Sequence, residues 1–248
     1  MIENSAKCDS QQRRTVFWIA FCLDRESVIC PALSSHRTRL TQFRICLRFG
    51  GTLGNCDEDM DIDFLPGSLG DGWTLSSTTQ KTEFNIFKSY CELSVIKGKI
   101  HKHLYCVTTA EQPVSELANS VVMLDKWLQE WKESVPKEYR PDVQNTPLFP
   151  KSTGTLELLG LHFSYFNCLI AVHRVTTLRD SNVNLEIARS YSSGLLPSDV
   201  ALVSGVLCQN AARASIRLIK YMPQRCTSIL GYASGFRQCR FPFFPFTY

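Results

Sequence analysis

Val114, Leu117, Val121, Leu124, Leu128 and Trp131 recur at steps of three and four directly after Pro113. That spacing tracks the helical repeat of about 3.6 residues, so six apolar side chains fall on one stripe of an α-helix. Glu116, Asn119, Lys126, Gln129 and Glu130 cover the opposite face. Proline suits the first helical position, where its missing N–H costs nothing, and Pro136 and Pro141 end the run. A helix built this way has to bury its stripe against other apolar elements, and the rest of the chain must supply them.

Three further segments do so. Residues 82–104 carry Phe84, Phe87, Cys91 and Val95 at helical steps, with Gly98 weakening the last third. Residues 156–178 are proline-free, with Leu159, Phe163, Phe166 and Ile170 on one face and apolar residues around most of the circumference. This predicts a central and most buried helix. Ser198 is a plausible cap for a helix bearing Val200, Val203, Leu207, Ala211, Leu218 and Met222 before Pro223. At the other end, residues 13–26, RRTVFWIAFCLDRE, predict a buried helix.

Between these lie a long loop over 27–71, a proline-rich extended connection over 141–154 and a polar stretch after residue 178. No strand pair joined by a hairpin turn is legible. The expected class is all-α, an irregular array of about five to six helices with a long loop near the N-terminus. Residues 1–222 form the expected domain. Residues 223–248 form a Phe/Pro-rich tail, RFPFFPF at its centre, whose prolines deny regular structure.

Composition narrows the function. Apolar residues make up 44% of 248, enough for a core, and the balance of 27 basic against 23 acidic residues, +4, is too weak a field for a nucleic-acid footprint. The longest unbroken apolar run, Val16 to Leu23, is far short of the roughly 20 residues of a spanning helix, and no signal-peptide core is present. Neither membrane insertion nor secretion is expected. Eleven cysteines are present without a single Cys-x-x-Cys pair. Structural zinc sites rely on such close pairs, so the thiols are expected to be reduced and structural, as in a cytosolic or nuclear protein.

Catalytic signals fail one by one. Asp57, Asp59, Asp61 and Asp63 have the alternation of a calcium loop, but Ile62 stands where glycine is needed and Ser68 where glutamate should close the shell. An aspartate-rich helix of an α-helical isoprenoid synthase is the enzyme alternative, yet Gly54 and Pro66 bracket the run in a loop. GGTLG at 50–54 lacks the order of a phosphate-binding turn and leads into acidic residues. His101 and His103 point to different sides of a helix, and His162 and His173, eleven apart on one face, read as hydrogen-bonded core or surface histidines. No catalytic, cofactor-binding or metal-ligating residue is predicted.

RRTVFWIAFCLDRE followed by CLRFGGTLGNCDEDMDIDFLP resembles the middle homology, or regulatory, region of fungal Zn2Cys6 transcription factors, the xylanolytic-activator-type domain. The match runs through Arg13, Arg14, Val16, Phe17, Trp18, Asp24, Arg25, Leu47, Arg48, Gly50, the four aspartates Asp57 to Asp63, Leu65 and Pro66. Downstream, WLQEWKESVPKEY and LHFSYFNCLIAVHR continue it, so that the resemblance covers roughly residues 13–222. Two departures stand out. Residues 27–44 separate motifs that the family joins almost directly, as retained intron sequence or a loop insertion, and Gly51-Thr52 replaces the usual Arg-Pro.

The resemblance implies a regulatory domain in the nucleus, not an enzyme, acting through other protein domains, the transcription machinery or a small-molecule inducer. It implies zinc and DNA binding only through an N-terminal six-cysteine cluster outside these residues, so this chain by itself is expected not to bind promoter DNA specifically. Val16, Phe17 and Trp18 are expected to anchor a core helix, and Arg25 or Arg48 to pair with the acidic run. A plain helical interaction scaffold is the remaining alternative.

Overall fold

Asn85 starts the helical body. Its backbone is extended, and its side-chain oxygen accepts from the Lys88 N–H at 3.0 Å, satisfying one of the donors that a helix leaves unpaired at its N-terminus. The helix that follows, α1, spans Ile86–Ile100 and runs on into a π-helical turn, His101–Tyr105. The computed structural model describes residues 18, 19, 21, 22, 25, 74–76, 83–105, 113–142, 155–178 and 197–222. The 27–44 segment, Arg48, GGTLG, the acidic run and the tail after 222 all lie outside them.

Immediately before α1 stands a feature the sequence reading missed. Strand β1, Thr74–Ser76, pairs antiparallel with β2, Glu83–Asn85, placing Leu75 opposite Phe84 with both side chains buried. Phe84 therefore belongs to a strand and not to the helical stripe that its spacing suggested. Three residues per strand are too few for alternation to be read, and the ribbon is held instead by tertiary contact. Tyr139 stacks on Phe84, ring centroids 5.8 Å apart, and donates its hydroxyl to the Ser76 carbonyl at 2.9 Å.

Helix α2, Val114–Ser134, follows Pro113, whose carbonyl accepts from the Glu116 and Leu117 N–H groups. The expected stripe is buried at Leu117, Val121, Leu124, Leu128 and Trp131. Val135 is extended and Pro136 follows, while Arg140 donates to the carbonyls of Glu133 and Val135 that the helix end leaves open.

Helix α3, Thr155–Leu178, is the central element the composition foretold: Leu158, Leu159, Phe163, Phe166 and Ile170 are all at most 3% exposed. Each large apolar side chain so buried contributes about 1.5–3 kcal/mol, which is why this helix needs no polar face. By length and hydropathy alone its Thr155–Thr176 stretch matches a membrane span, but 72% of that window is buried inside the protein, as for a core helix.

Helix α4, Pro197–Leu218, ends in a 3-10 turn, Ile219–Tyr221. It packs on α3 through Val200, Ser204, Cys208, Ala211, Ser215 and Leu218. Val203, expected in the core, is 50% exposed. Small side chains let the two backbones approach, so the buried face follows residue size more than hydropathy.

Trp18, Phe21 and Cys22 are buried and helical, as the sequence predicted, and form a second apolar cluster with Phe87 and Cys91 of α1. Four α-helices, a minor two-stranded sheet and these N-terminal helical residues make the described chain all-α.

Candidate functional site

Polar residues inside an apolar array mark where a helical domain departs from mere packing. Two such groups and one surface stand out.

The first group centres on Lys97. Ile86, Leu93, Lys97, Ile100 and Leu104 follow one another at helical steps and are all buried, so the lysine occupies a core register and is fully enclosed. Its ammonium lies 5.3 Å from the centre of the Tyr90 ring. Burial pushes its pKa down to about 8, with Cys168 and then Cys22 acting in the opposite sense. The Cys22 and Cys91 sulfurs stand 3.9 Å apart in the same region. Cys22 is held below its ordinary value by the Cys91 thiol beside it, against desolvation, with Ser94 and Lys97 assisting, whereas Cys91 is pushed far up by the same partner. Burial raises Cys168 to about 12 and Cys208 to about 11. The cysteines were expected to be structural thiols; the four among the described residues are free and buried.

The second group ties three helices. His173 of α3 meets Ser204 of α4 through Nδ1, 3.3 Å, and Asp125 of α2 through Nε2, 3.1 Å. An aspartate, a histidine and a serine in contact invite comparison with an acyl-transfer triad. Burial decides against it: Ser204 and His173 are each 4% exposed, and Ser204 faces the α3–α4 contact, leaving no room for a substrate carbonyl at its oxygen. The arrangement works as a hydrogen-bonded tie.

His162, the other histidine of that face, is fully buried and donates from Nε2 to the Tyr139 carbonyl at 2.8 Å. Desolvation drives its pKa down to about 4, the Tyr139 contact opposing. Both histidines are thus hydrogen-bonded core residues, as their spacing suggested. His101 and His103 stand in the π-helical turn, partly exposed. Among the described residues no group of three His, Cys, Asp or Glu side chains is placed to hold a metal ion.

The surface is the outer side of α4. Leu202, Val206 and Ile216 are 67%, 45% and 56% exposed and share a line with Gln209 and Arg213, opposite the face on α3. Val203 and Ile219 extend it to either side.

His162 and His173 stand out in the sequence, whereas Lys97, Asp125 and Ser204 emerge from the fold. For Lys97 the signal existed, since its place between Leu93 and Ile100 is a core register; for Asp125 and Ser204 only the folded chain shows the shared partner.

Over 228 residues the chain is 35% identical to the "ABC-transporter-regulating transcription factor" of Aspergillus fumigatus, an alignment that takes in 86% of this chain and 22% of that protein. The protein of the same description from Aspergillus oryzae aligns over 227 residues at 35% identity, with coverages of 86% and 22%. The "Fusaridione A cluster transcription factor" of Fusarium heterosporum shares 29% identity over 229 residues, 87% of this chain and 35% of that protein. No family model and no solved structure matches. The chain is therefore similar along most of its length to a segment of fungal transcription regulators, and spans about a fifth to a third of the relatives' length.

Proposed function

We propose that these residues form part of the regulatory, middle homology region of a fungal Zn2Cys6-type transcription factor. In this reading the domain acts in the nucleus and sets the factor's output through intramolecular, partner or inducer contacts, while a zinc cluster elsewhere in the full-length protein reads DNA. The observation that carries the reading is the 35% identity over 228 residues to a transcription factor, an alignment long enough to take in most of the helical array. The order of motifs from Arg13 to Pro66 and the leucine-tryptophan helix α2 support it.

Such a domain regulates by adopting arrangements that a partner or ligand binds unequally, because only differential affinity shifts a population. The outward apolar line of α4 supports a contact role, since apolar side chains on a surface are what a partner covers.

The test is a reporter driven by an unrelated DNA-binding domain and an activation domain, with residues 1–222 inserted between them. Regulation predicts that the insert changes reporter output at equal protein level. A scaffold without regulatory role leaves the output unchanged, and an isoprenoid-synthase-like enzyme shows itself by magnesium-dependent turnover of a prenyl diphosphate.

A further inference from the structure

We propose that Cys22 and Cys91 are a dithiol that small hydroperoxides oxidise to a disulfide, a modification site joining the N-terminal helical residues to α1. The two residues are 69 apart in sequence, and the fold brings their sulfurs to 3.9 Å. A disulfide needs a separation of about 2.05 Å, so the sulfurs must close by about 2 Å.

The pair is unequal. Both residues are buried, Cys22 at 6% and Cys91 at 2% exposed, so the oxidant has to be as small as a hydroperoxide. The groups that act on Cys22 are the Cys91 thiol, the Ser94 hydroxyl and the Lys97 ammonium, all of which favour its thiolate; Glu92, by contrast, opposes ionisation of Cys91. A thiol whose ionised form is favoured by a cation and by a second thiol 3.9 Å away is the more readily oxidised of the pair. Lys97 acts on Cys168 and Arg174 on Cys208 in the same sense, but there burial outweighs the cation and both thiols are raised.

The chemistry closes in two steps. The Cys22 thiolate attacks one peroxide oxygen, the O–O bond breaks, and hydroxide leaves with the electron pair, giving a sulfenic acid on Cys22; the hydroxide takes a proton to become water. The Cys91 sulfur then attacks the Cys22 sulfur as its thiol proton passes to the leaving hydroxyl, so that the S–H and S–OH bonds break, the S–S bond forms and a second water leaves. Two electrons pass from the thiols to the peroxide.

The experiment is peptide mapping of the full chain after hydrogen peroxide and a quench with iodoacetamide. The expected result is a peptide pair linked through Cys22 and Cys91 and lighter by two hydrogens than its reduced form. Cys91→Ser should leave a Cys22 sulfenic acid that dimedone traps. Lys97→Met should slow formation of the link by about tenfold or more. Recovery of both thiols fully alkylated by iodoacetamide, or links that join either one to a different cysteine, overturns the proposal in the wild-type chain alone. An unchanged rate in Lys97→Met contradicts the role given to the lysine.

Discussion

Trp131 Nε1 donates to the Ser89 carbonyl at 3.0 Å, a bond that crosses from α2 to α1 and anchors the last turn of the stripe helix against its neighbour. The same indole stacks on Tyr165 of α3, centroids 5.6 Å apart. One side chain thus meets both partner helices of α2. Trp131→Phe should keep the stack and lose the bond, costing about 1–2 kcal/mol, while Trp131→Ala should cost about 3–5 kcal/mol. Urea unfolding of the two variants checks the order, and equal losses would mean that the bond contributes nothing beyond packing.

The Asp125–His173–Ser204 tie should show coupling. Asp125 and Ser204 share one imidazole, so removing either changes what the other is worth. A double-mutant cycle of Asp125→Asn and Ser204→Ala should give an interaction energy of about 0.5 kcal/mol or more. Strict additivity would show that the two hydrogen bonds act independently.

His162 should make the protein acid-sensitive. Its folded pKa, about 4, lies below the unfolded value of 6.5, so the unfolded chain binds the proton more readily between those limits. Stability contributed by the neutral imidazole is fully present above pH 6.5 and is lost as pH falls toward 4, to a total of about 3 kcal/mol. Unfolding free energies measured from pH 7 to pH 4 should fall more steeply in the wild type than in His162→Gln. Parallel curves would place the acid sensitivity elsewhere.

Lys97 should be a burden at neutral pH. Its folded pKa of about 8, against an ordinary 10.5, means that the unfolded chain binds more protons between those values, so stability falls as pH drops from 10.5 to 8 and stays lowered below that. Lys97→Met fills a similar volume without the charge. It should raise stability by about 3 kcal/mol at pH 7, with the advantage shrinking as pH rises above 8. Destabilisation by this substitution would show that the ammonium's contacts outweigh its desolvation.

The two faces of α4 should answer oppositely to change. Ala211 is fully buried against α3, so Ala211→Leu should overpack the contact and cost about 1–3 kcal/mol. Leu202 is 67% exposed, and Leu202→Gln should stay within about 0.5 kcal/mol. Chemical denaturation checks both, and a large loss for Leu202→Gln would mean that this face is already covered within the protein.

Helices α2 and α3 were legible because each carries its reason for burial in its own spacing: a stripe after Pro113 in one, apolar residues nearly all round in the other. The β1–β2 ribbon was not, since three-residue strands gain their stability from Tyr139, more than fifty residues away. On α4 hydropathy misled, choosing Val203 over Ser204, because close helix contact rewards small side chains and tolerates a hydroxyl that has a partner. The polar groups were half legible. His162 and His173 were read as hydrogen-bonded, but their partners Tyr139, Asp125 and Ser204 become neighbours only through the packing of α2, α3 and α4. Whether Arg25 serves the acidic run stays outside the described residues; the guanidinium lies over the Phe21 ring at 4.9 Å.

The most direct test of a regulatory domain is replacement in a living relative. In the Aspergillus fumigatus ABC-transporter-regulating transcription factor, the matching segment, 22% of that protein, can be exchanged for this chain and target transcripts measured at equal protein level. The chimaera should retain regulated transcription that deletion of the segment disturbs. A chimaera that accumulates normally yet behaves as the deletion does would contradict the regulatory role.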